Sequence, residues 1–298
     1  MKFGLSTFIT DEGLGPAELA RALEDREFDS LFVAEHTHMP VNGETPPYTD
    51  LPPRDYYRSL DPFVALTAAA VATERLTLGT GIALVIQRDP ITLAKEAASL
   101  DYVSGGRFQL GLGAGWNRDE MRNHGTEPRT RMALMRERVL AMKAIWTNER
   151  AEFHGEFVDF EPIYSWPKPV QRPHLPVLVG GNGPTVFDRV LEYGDGWAPN
   201  LVGTPEELVS QVADLQRRAE ERGRGRIPVT LIGADERGYL GSERPRTVAP
   251  LGERDLEALA QGGIDHCVFF RDAGAPEGDA LRYLDELATL TKKFRDIS

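Results

Sequence analysis

The sequence predicts an α/β protein folded as a (β/α)8 barrel, and three observations lead there. Eight short β-type runs alternate with eight longer amphipathic stretches along the 298 residues. Strict alternation of this kind means parallel strands joined by crossover helices. No charge run, tandem repeat or linker marks a second domain, so although about 150 residues per domain would allow two, eight strand and helix pairs suit a closed barrel better than an open sheet.

The strand runs are 2–8, 29–35, 75–83, 107–113, 176–180, 196–200, 227–233 and 265–270. The helical patterns are 16–27, 61–73, 90–103, 130–147, 184–194, 205–223, 253–262 and 278–294. Pro16 and the Asp61-Pro62 pair sit where helices start, since proline tolerates the first helical turn. Two segments stand outside the repeat. Residues 36–58 hold five prolines together with Tyr48, Tyr56 and Tyr57, which predicts an ordered active-site loop rather than a helix. Residues 151–173 read as a small hairpin running into the proline-rich stretch from Trp166 to Pro173.

Composition narrows the function. Against 46 acidic residues there are 34 basic ones, a net charge of −12, which argues against a nucleic-acid binder. The one cysteine, Cys267, excludes an internal disulfide and lies in an apolar run as a small buried hydrophobe. No stretch approaches the roughly 18 apolar residues of a membrane span, and the N-terminus enters a strand without a signal-peptide pattern. A cytoplasmic protein is expected.

In such a barrel the chemistry gathers at the C-terminal strand ends. Strand two ends in Glu35-His36-Thr37-His38. His36 there suits a general acid or base, a donor to a bound ring, or a metal ligand, with satisfaction of loop backbone groups as the bland alternative. A zinc site built on His36 and His38 would need further ligands on later strands, and the other histidines fall elsewhere, so no metal is expected. Strand three ends in Leu78-Gly-Thr80-Gly81-Ile82, where glycine allows a flat ligand to approach or simply forms a bulge. Strand four ends in Gly111-Leu-Gly113-Ala114-Gly115-Trp116-Asn117, a weak dinucleotide signal better read as a close-packed strand end with Trp116 and Asn117 at the rim. Strand five runs into Gly180-Gly181-Asn182-Gly183-Pro184. Its exposed N–H groups and the helix start at Pro184 suit a phosphate, though a plain strand-to-helix turn has the same pattern. Trp197 on strand six is expected in the core.

These stretches together resemble the luciferase-like monooxygenase superfamily, and most closely its coenzyme F420-dependent branch. Added to the motifs above are Pro90 to Glu96, Leu100 to Arg107, Trp166 to Pro173 and Tyr193 to Trp197, so that the resemblance covers almost the whole chain. It implies a homodimeric luciferase-like TIM barrel with the deazaflavin ring at the C-terminal mouth. A non-prolyl cis peptide would back the ring at Gly81-Ile82, and His36 would contact the ring and take part in proton transfer. Gly180 to Pro184 would hold the coenzyme phosphate. The cofactor set so implied is Glu35, His36, Thr80, Gly81, Ile82, Gly113, Ala114, Gly115, Asn117 and Gly180 to Pro184, with Tyr48, Tyr56, Tyr57 and Trp116 shaping a pocket for a small, fairly apolar or planar substrate.

The sequence departs from the sugar-phosphate dehydrogenases of that branch. Trp116 stands where they carry a glutamate, and Pro40 where they carry a tryptophan. Without that acid, alcohol oxidation and reduction of an activated double bond both stay open. The alternatives are a two-component monooxygenase using reduced FMN from a separate reductase, and a non-catalytic coenzyme-binding protein.

Overall fold

The structure is a computed structural model, and it describes residues 1–41, 54–234, 251–271 and 277–294. In chain order the strands are β1 (Lys2–Thr7), β2 (Ser30–Val33), β3 (Thr77–Thr80), β4 (Ala83–Leu84), β5 (Phe108–Gly113), β6 (Ala151–His154), β7 (Asp159–Ile163), β8 (Val177–Gly180), β9 (Gly196–Ala198), β10 (Thr230–Ile232) and β11 (His266–Arg271). The helices are α1 (Pro16–Asp25), α2 (Arg54–Arg58), α3 (Pro62–Ala72), α4 (Pro90–Val103), α5 (Arg118–Asn123), α6 (Arg131–Thr147), α7 (Val186–Tyr193), α8 (Pro205–Glu221), α9 (Glu253–Gln261) and α10 (Glu277–Thr291).

β6 and β7 form an antiparallel hairpin, and the other strands run parallel in the order β10, β11, β1, β2, β3, β5, β8, β9, with β4 added on β5. A parallel bridge between Trp197 and Val229 brings β9 beside the chain entering β10. There the Trp197 N–H donates to Pro228 O at 2.9 Å and the Ile232 N–H to Pro199 O at 2.8 Å, so the ring of eight is almost closed. Closure satisfies the edge groups that an open parallel sheet would leave unpaired.

All eight predicted strands and all eight predicted helices are present, mostly trimmed at their ends. Three differences are physical. The loop read over 36–58 contains the helix α2 at its end. A further helix, α5, follows β5, capped by Asn117. The third strand is split into β3 and β4 by a cis peptide between Gly81 and Ile82, as the resemblance implied.

Two apolar layers hold the fold. The large one lies between strands and helices and includes Leu31, Leu78, Leu110 and Trp146. The small one fills the barrel interior with Phe32, Leu178, Ala198, Ile232 and Val268, with Ile82 packed on it. Phe32 takes its place because Gly79 is bare: a Cβ on Gly79 would lie 2.2 Å from Phe32 Cε1. Several motif residues are spent on this scaffold. Arg107 donates to the carbonyls of Ala70, Thr73, Leu76 and Ser104. The Asp101 carboxylate accepts the N–H groups of Val170 and Gln171, docking the insertion. Trp197 is fully buried, and its Nε1–H donates to Gly181 O at 2.9 Å.

Candidate active site

Above the interior cluster lies a cavity of about 410 Å³ at the C-terminal strand ends. Ile82, Ala198 and Ile232 belong to both, so the cluster forms the cavity floor. The volume falls within the roughly 300–1,000 Å³ of small-molecule and cofactor sites. Among the predicted residues it brings together Glu35, His36, Tyr56, Gly81, Ile82, Gly113, Ala114, Gly115, Trp116 and Gly180 to Gly183.

His36 lies three residues past the end of β2, which carries it to the mouth, and it is 8% exposed. Its Nδ1 lies 2.9 Å from Glu120 Oε2. The ring stacks on Tyr56 at 4.7 Å and 15°, and meets the Trp116 edge at 5.7 Å. With Nδ1 engaged, Nε2 is the nitrogen left for the cavity. Glu120 was not anticipated from the sequence, which pointed to the absence of a glutamate acid. Trp116 does stand behind the strand-four glycines, and Glu120, the third residue of α5, reaches His36 from behind the cavity wall.

Asn117, expected at the coenzyme, does not line the cavity. It is 3% exposed, and its Oδ1 accepts the N–H groups of Asp119 at 3.0 Å and Glu120 at 3.2 Å. Such a cap satisfies otherwise orphaned donors of a helix start, and here it fixes the turn that carries Glu120. Thr80 also stays out of the cavity wall, its hydroxyl donating to Gly111 O at 2.6 Å. Pro184 only opens the way into α7, and Tyr57 is 45% exposed away from the cavity lining. Tyr48 lies outside the described residues.

Glu35 lines the cavity but is also a structural pin. Its Oε2 accepts the Leu84 N–H at 2.7 Å, and its Oε1 accepts Arg88 Nε at 2.7 Å. Arg88 also pairs with Asp61 and, at 3.0 Å, with Glu96. Burial alone would lower the Arg88 guanidinium, yet Glu35 and Asp61 hold it well above its ordinary value.

The glycine turn after β8 presents unused donors. Gly181 N–H bonds Ala198 O at 3.3 Å, whereas the N–H groups of Asn182 and Gly183 donate to no described residue. Asn182 Nδ2 donates to Asn200 O at 2.9 Å, and Asn182 Oδ1 accepts the Asn200 N–H at 3.1 Å. Gly181 has φ +108°, a conformation that only glycine adopts readily, and a Cβ on Gly181 or Gly183 would meet nothing within 4 Å. Arg189 in α7 also lines the cavity; its Nη1 donates to Thr185 Oγ1 at 2.7 Å, while its buried Nε has no hydrogen-bond partner among the described residues. Sequence reading missed Arg189, because which face of α7 turns toward the cavity is not written in the local sequence. It missed Phe8 and Phe270 of the wall as well, although both lie at C-terminal strand ends, and Met132, which a later helix brings in.

His38 and His124 sit outside the wall with rings 5.2 Å apart, and burial together with His38 lowers His124. Among the described residues no group of three or more His, Cys, Asp or Glu side chains gathers as a metal site.

A nearly closed parallel barrel with a cavity at its C-terminal mouth, walled in part by glycines, defines a TIM-barrel protein with a small-molecule site at that mouth. Residues 12–234 match the model of the luciferase-like monooxygenase family, and the chain belongs to that family. An uncharacterised protein of Mycobacterium tuberculosis is 45% identical over 97% of this chain and 98% of its own length. An FMNH2-dependent dimethylsulfone monooxygenase of Pseudomonas putida is 32% identical over 71% of this chain and 58% of its own. An F420-dependent glucose-6-phosphate dehydrogenase of Kineococcus radiotolerans is 28% identical over 79% and 68%. Among solved structures, an F420-dependent secondary alcohol dehydrogenase in complex with an F420-acetone adduct superposes with a TM-score of 0.76 at 20% identity, covering 99% of this chain and 100% of that one. The monooxygenase RslO1 of Streptomyces bottropensis gives 0.75 at 20% identity, over 98% and 99%. The chain is thus an oxidoreductase of a family with both F420-dependent and FMNH2-dependent members. Among the described residues no helix is long and apolar enough to cross a membrane.

Proposed function

We propose that this chain is a coenzyme F420-dependent oxidoreductase that moves a hydride between the deazaflavin and a small, largely apolar organic substrate. The observation that carries this reading is the placement of His36, a buried imidazole with one nitrogen committed to a carboxylate and the other left to the cavity. Each hydride moved to or from an alcohol carbon or an activated double bond is accompanied by a proton, which a positioned side chain must take or give.

The residues present fit the coenzyme. Gly81, Ile82 and the run from Gly113 to Gly115 line a cavity of a size that suits a flat ring, and the missing side chain of Gly113 makes room for Ile82 in that wall. The unused N–H groups of Asn182 and Gly183, with Arg189 lining the same cavity, suit a phosphate, and backbone donors let a chain of net charge −12 bind an anion. When bound, the coenzyme supplies the carbon that accepts or donates the hydride. His36 holds or moves the proton at Nε2, while Phe8, Tyr56, Trp116 and Phe270 exclude water around the reacting substrate. A spectral titration tests the reading: oxidised F420 binds at micromolar concentration, and absence of binding by the purified protein overturns it.

The same reading includes a homodimer. Val64 and Val71, seven residues apart on one face of α3, are 68% and 74% exposed, and Tyr102 and Val103 end the adjacent α4 exposed as well. An apolar helix face of this kind suits a second copy of the chain.

A further inference from the structure

We propose that Glu120 is a positioning residue: it fixes His36 as the Nδ1–H tautomer and balances the imidazolium formed when Nε2 takes a proton, which equips the site to oxidise alcohols. The chemistry rests on the function proposed above, and the tautomer on geometry alone.

An ionised carboxylate only accepts hydrogen bonds. Beside an ionised Glu120 whose Oε2 lies 2.9 Å from Nδ1, the shared hydrogen belongs to His36, and a neutral imidazole then carries its lone pair on Nε2. The pair is dry, with side chains 6% and 1% exposed. Asn117 holds the backbone of Glu120 from one side, and Tyr56 stacks on the imidazole from the other. The ring is therefore fixed in plane as well as in protonation.

Other acidic side chains in this fold show what a structural carboxylate looks like. Glu24 accepts the N–H groups of Glu74, Arg75 and Leu76. Glu137 accepts those of Glu156, Phe157 and Val158. Glu120 receives nothing of the kind. Its Oε1 is buried without a hydrogen-bond partner among the described residues, and its Oε2 serves His36. Burying a carboxylate so sparsely bonded is costly, and no scaffold contact here offsets it. Balance of a positive charge arising on His36 offsets it during the reaction.

In the step this supports, the C–H bond of the carbinol would break, and a bound oxidised deazaflavin would supply the acceptor for the hydride and its electron pair. The O–H bond breaks, its proton goes to His36 Nε2, and a C=O bond forms. The alcohol is oxidised and the coenzyme reduced, and the imidazolium is paired with Glu120 until its proton leaves.

The test reads the tautomer by 15N NMR of histidine-labelled, coenzyme-free protein, with His36 assigned from the His36→Gln spectrum. The wild type is expected to carry the proton on Nδ1, and Glu120→Ala to move it to Nε2, the form that free neutral imidazole favours. Glu120→Gln keeps Nδ1–H through its amide oxygen but lacks the charge, so kcat for an apolar secondary alcohol falls about 100-fold while KM stays within about threefold. A proton on Nε2 in the wild type, or wild-type kcat in Glu120→Gln, overturns the proposal. If Glu120→Ala fails to fold, the wild-type spectrum and the Gln variant decide. Failure to bind deazaflavin contradicts the proposed function, and the tautomer in the coenzyme-free wild type then decides this proposal by itself.

Discussion

Glu35 accepts the N–H of Leu84 at 2.7 Å, and that bond ties the end of β2 to the chain just past the Gly81-Ile82 peptide. The same carboxylate is neutralised by Arg88, so one residue pair holds the wall of the cavity beside His36. Replacing Arg88 by Met leaves Glu35 buried and unpaired, and removal of one partner of a buried pair typically costs about 3 kcal/mol or more. Arg88→Met is expected to lower the urea midpoint accordingly. Glu35→Gln in the same chain recovers part of the loss, as a double-mutant cycle measures.

His36→Ala removes the group facing the cavity without touching the phosphate turn. Turnover is expected to fall by about 10²- to 10⁴-fold, the usual contribution of a positioned acid or base. Coenzyme affinity stays within a few-fold of wild type. Kinetics and a coenzyme titration on one preparation separate the two, and a coenzyme-binding protein without catalysis predicts no change in either.

Arg189 lines the same cavity as Asn182 and Gly183, and its own Nε is unpartnered among the described residues. A hydrogen bond to a charged group contributes about 1.5–3 kcal/mol, so Arg189→Ala is expected to weaken coenzyme binding at least tenfold. The loss should shrink at high salt, because screening weakens the interaction of a partly exposed charge. A fluorescence titration at two ionic strengths checks both statements.

His266 sits buried at the start of β11 with Nε2 2.9 Å from Ser30 Oγ, and burial pushes it from 6.5 down to about 3. The unfolded chain protonates this imidazole below about 6.5 while the folded one does not until about 3. Stability is therefore present above 6.5 and lost as pH falls toward 3, by up to about 1.4 kcal/mol per pH unit. Between pH 7 and pH 5 the wild type is expected to lose roughly 2 kcal/mol more than His266→Gln. Urea denaturation at the two pH values gives the comparison.

The barrel was legible because period and alternation survive in a single sequence. His36 and the glycine turn were legible because each lies within a few residues of a strand end, and a residue just past a barrel strand faces the mouth. Glu120 and Arg189 were not, since their direction depends on which face a later helix turns inward. Asn117 illustrates a different limit: the same side chain suits a ligand contact and a helix cap, and the backbone alone decides. Arg107 and Asp101 lie in the motifs that carried the resemblance, yet they bond carbonyls and N–H groups of the scaffold.

The central claim is that hydride transfer to a deazaflavin, rather than oxygen chemistry at reduced FMN, is what this cavity performs. An anaerobic assay with oxidised F420 and a panel of small apolar alcohols, followed by loss of the coenzyme's visible absorbance, tests it most directly. The account predicts stoichiometric reduction of F420 with formation of the matching carbonyl compound, no requirement for oxygen, and loss of the signal in His36→Ala. Turnover that occurs only with reduced FMN and consumes oxygen would contradict it.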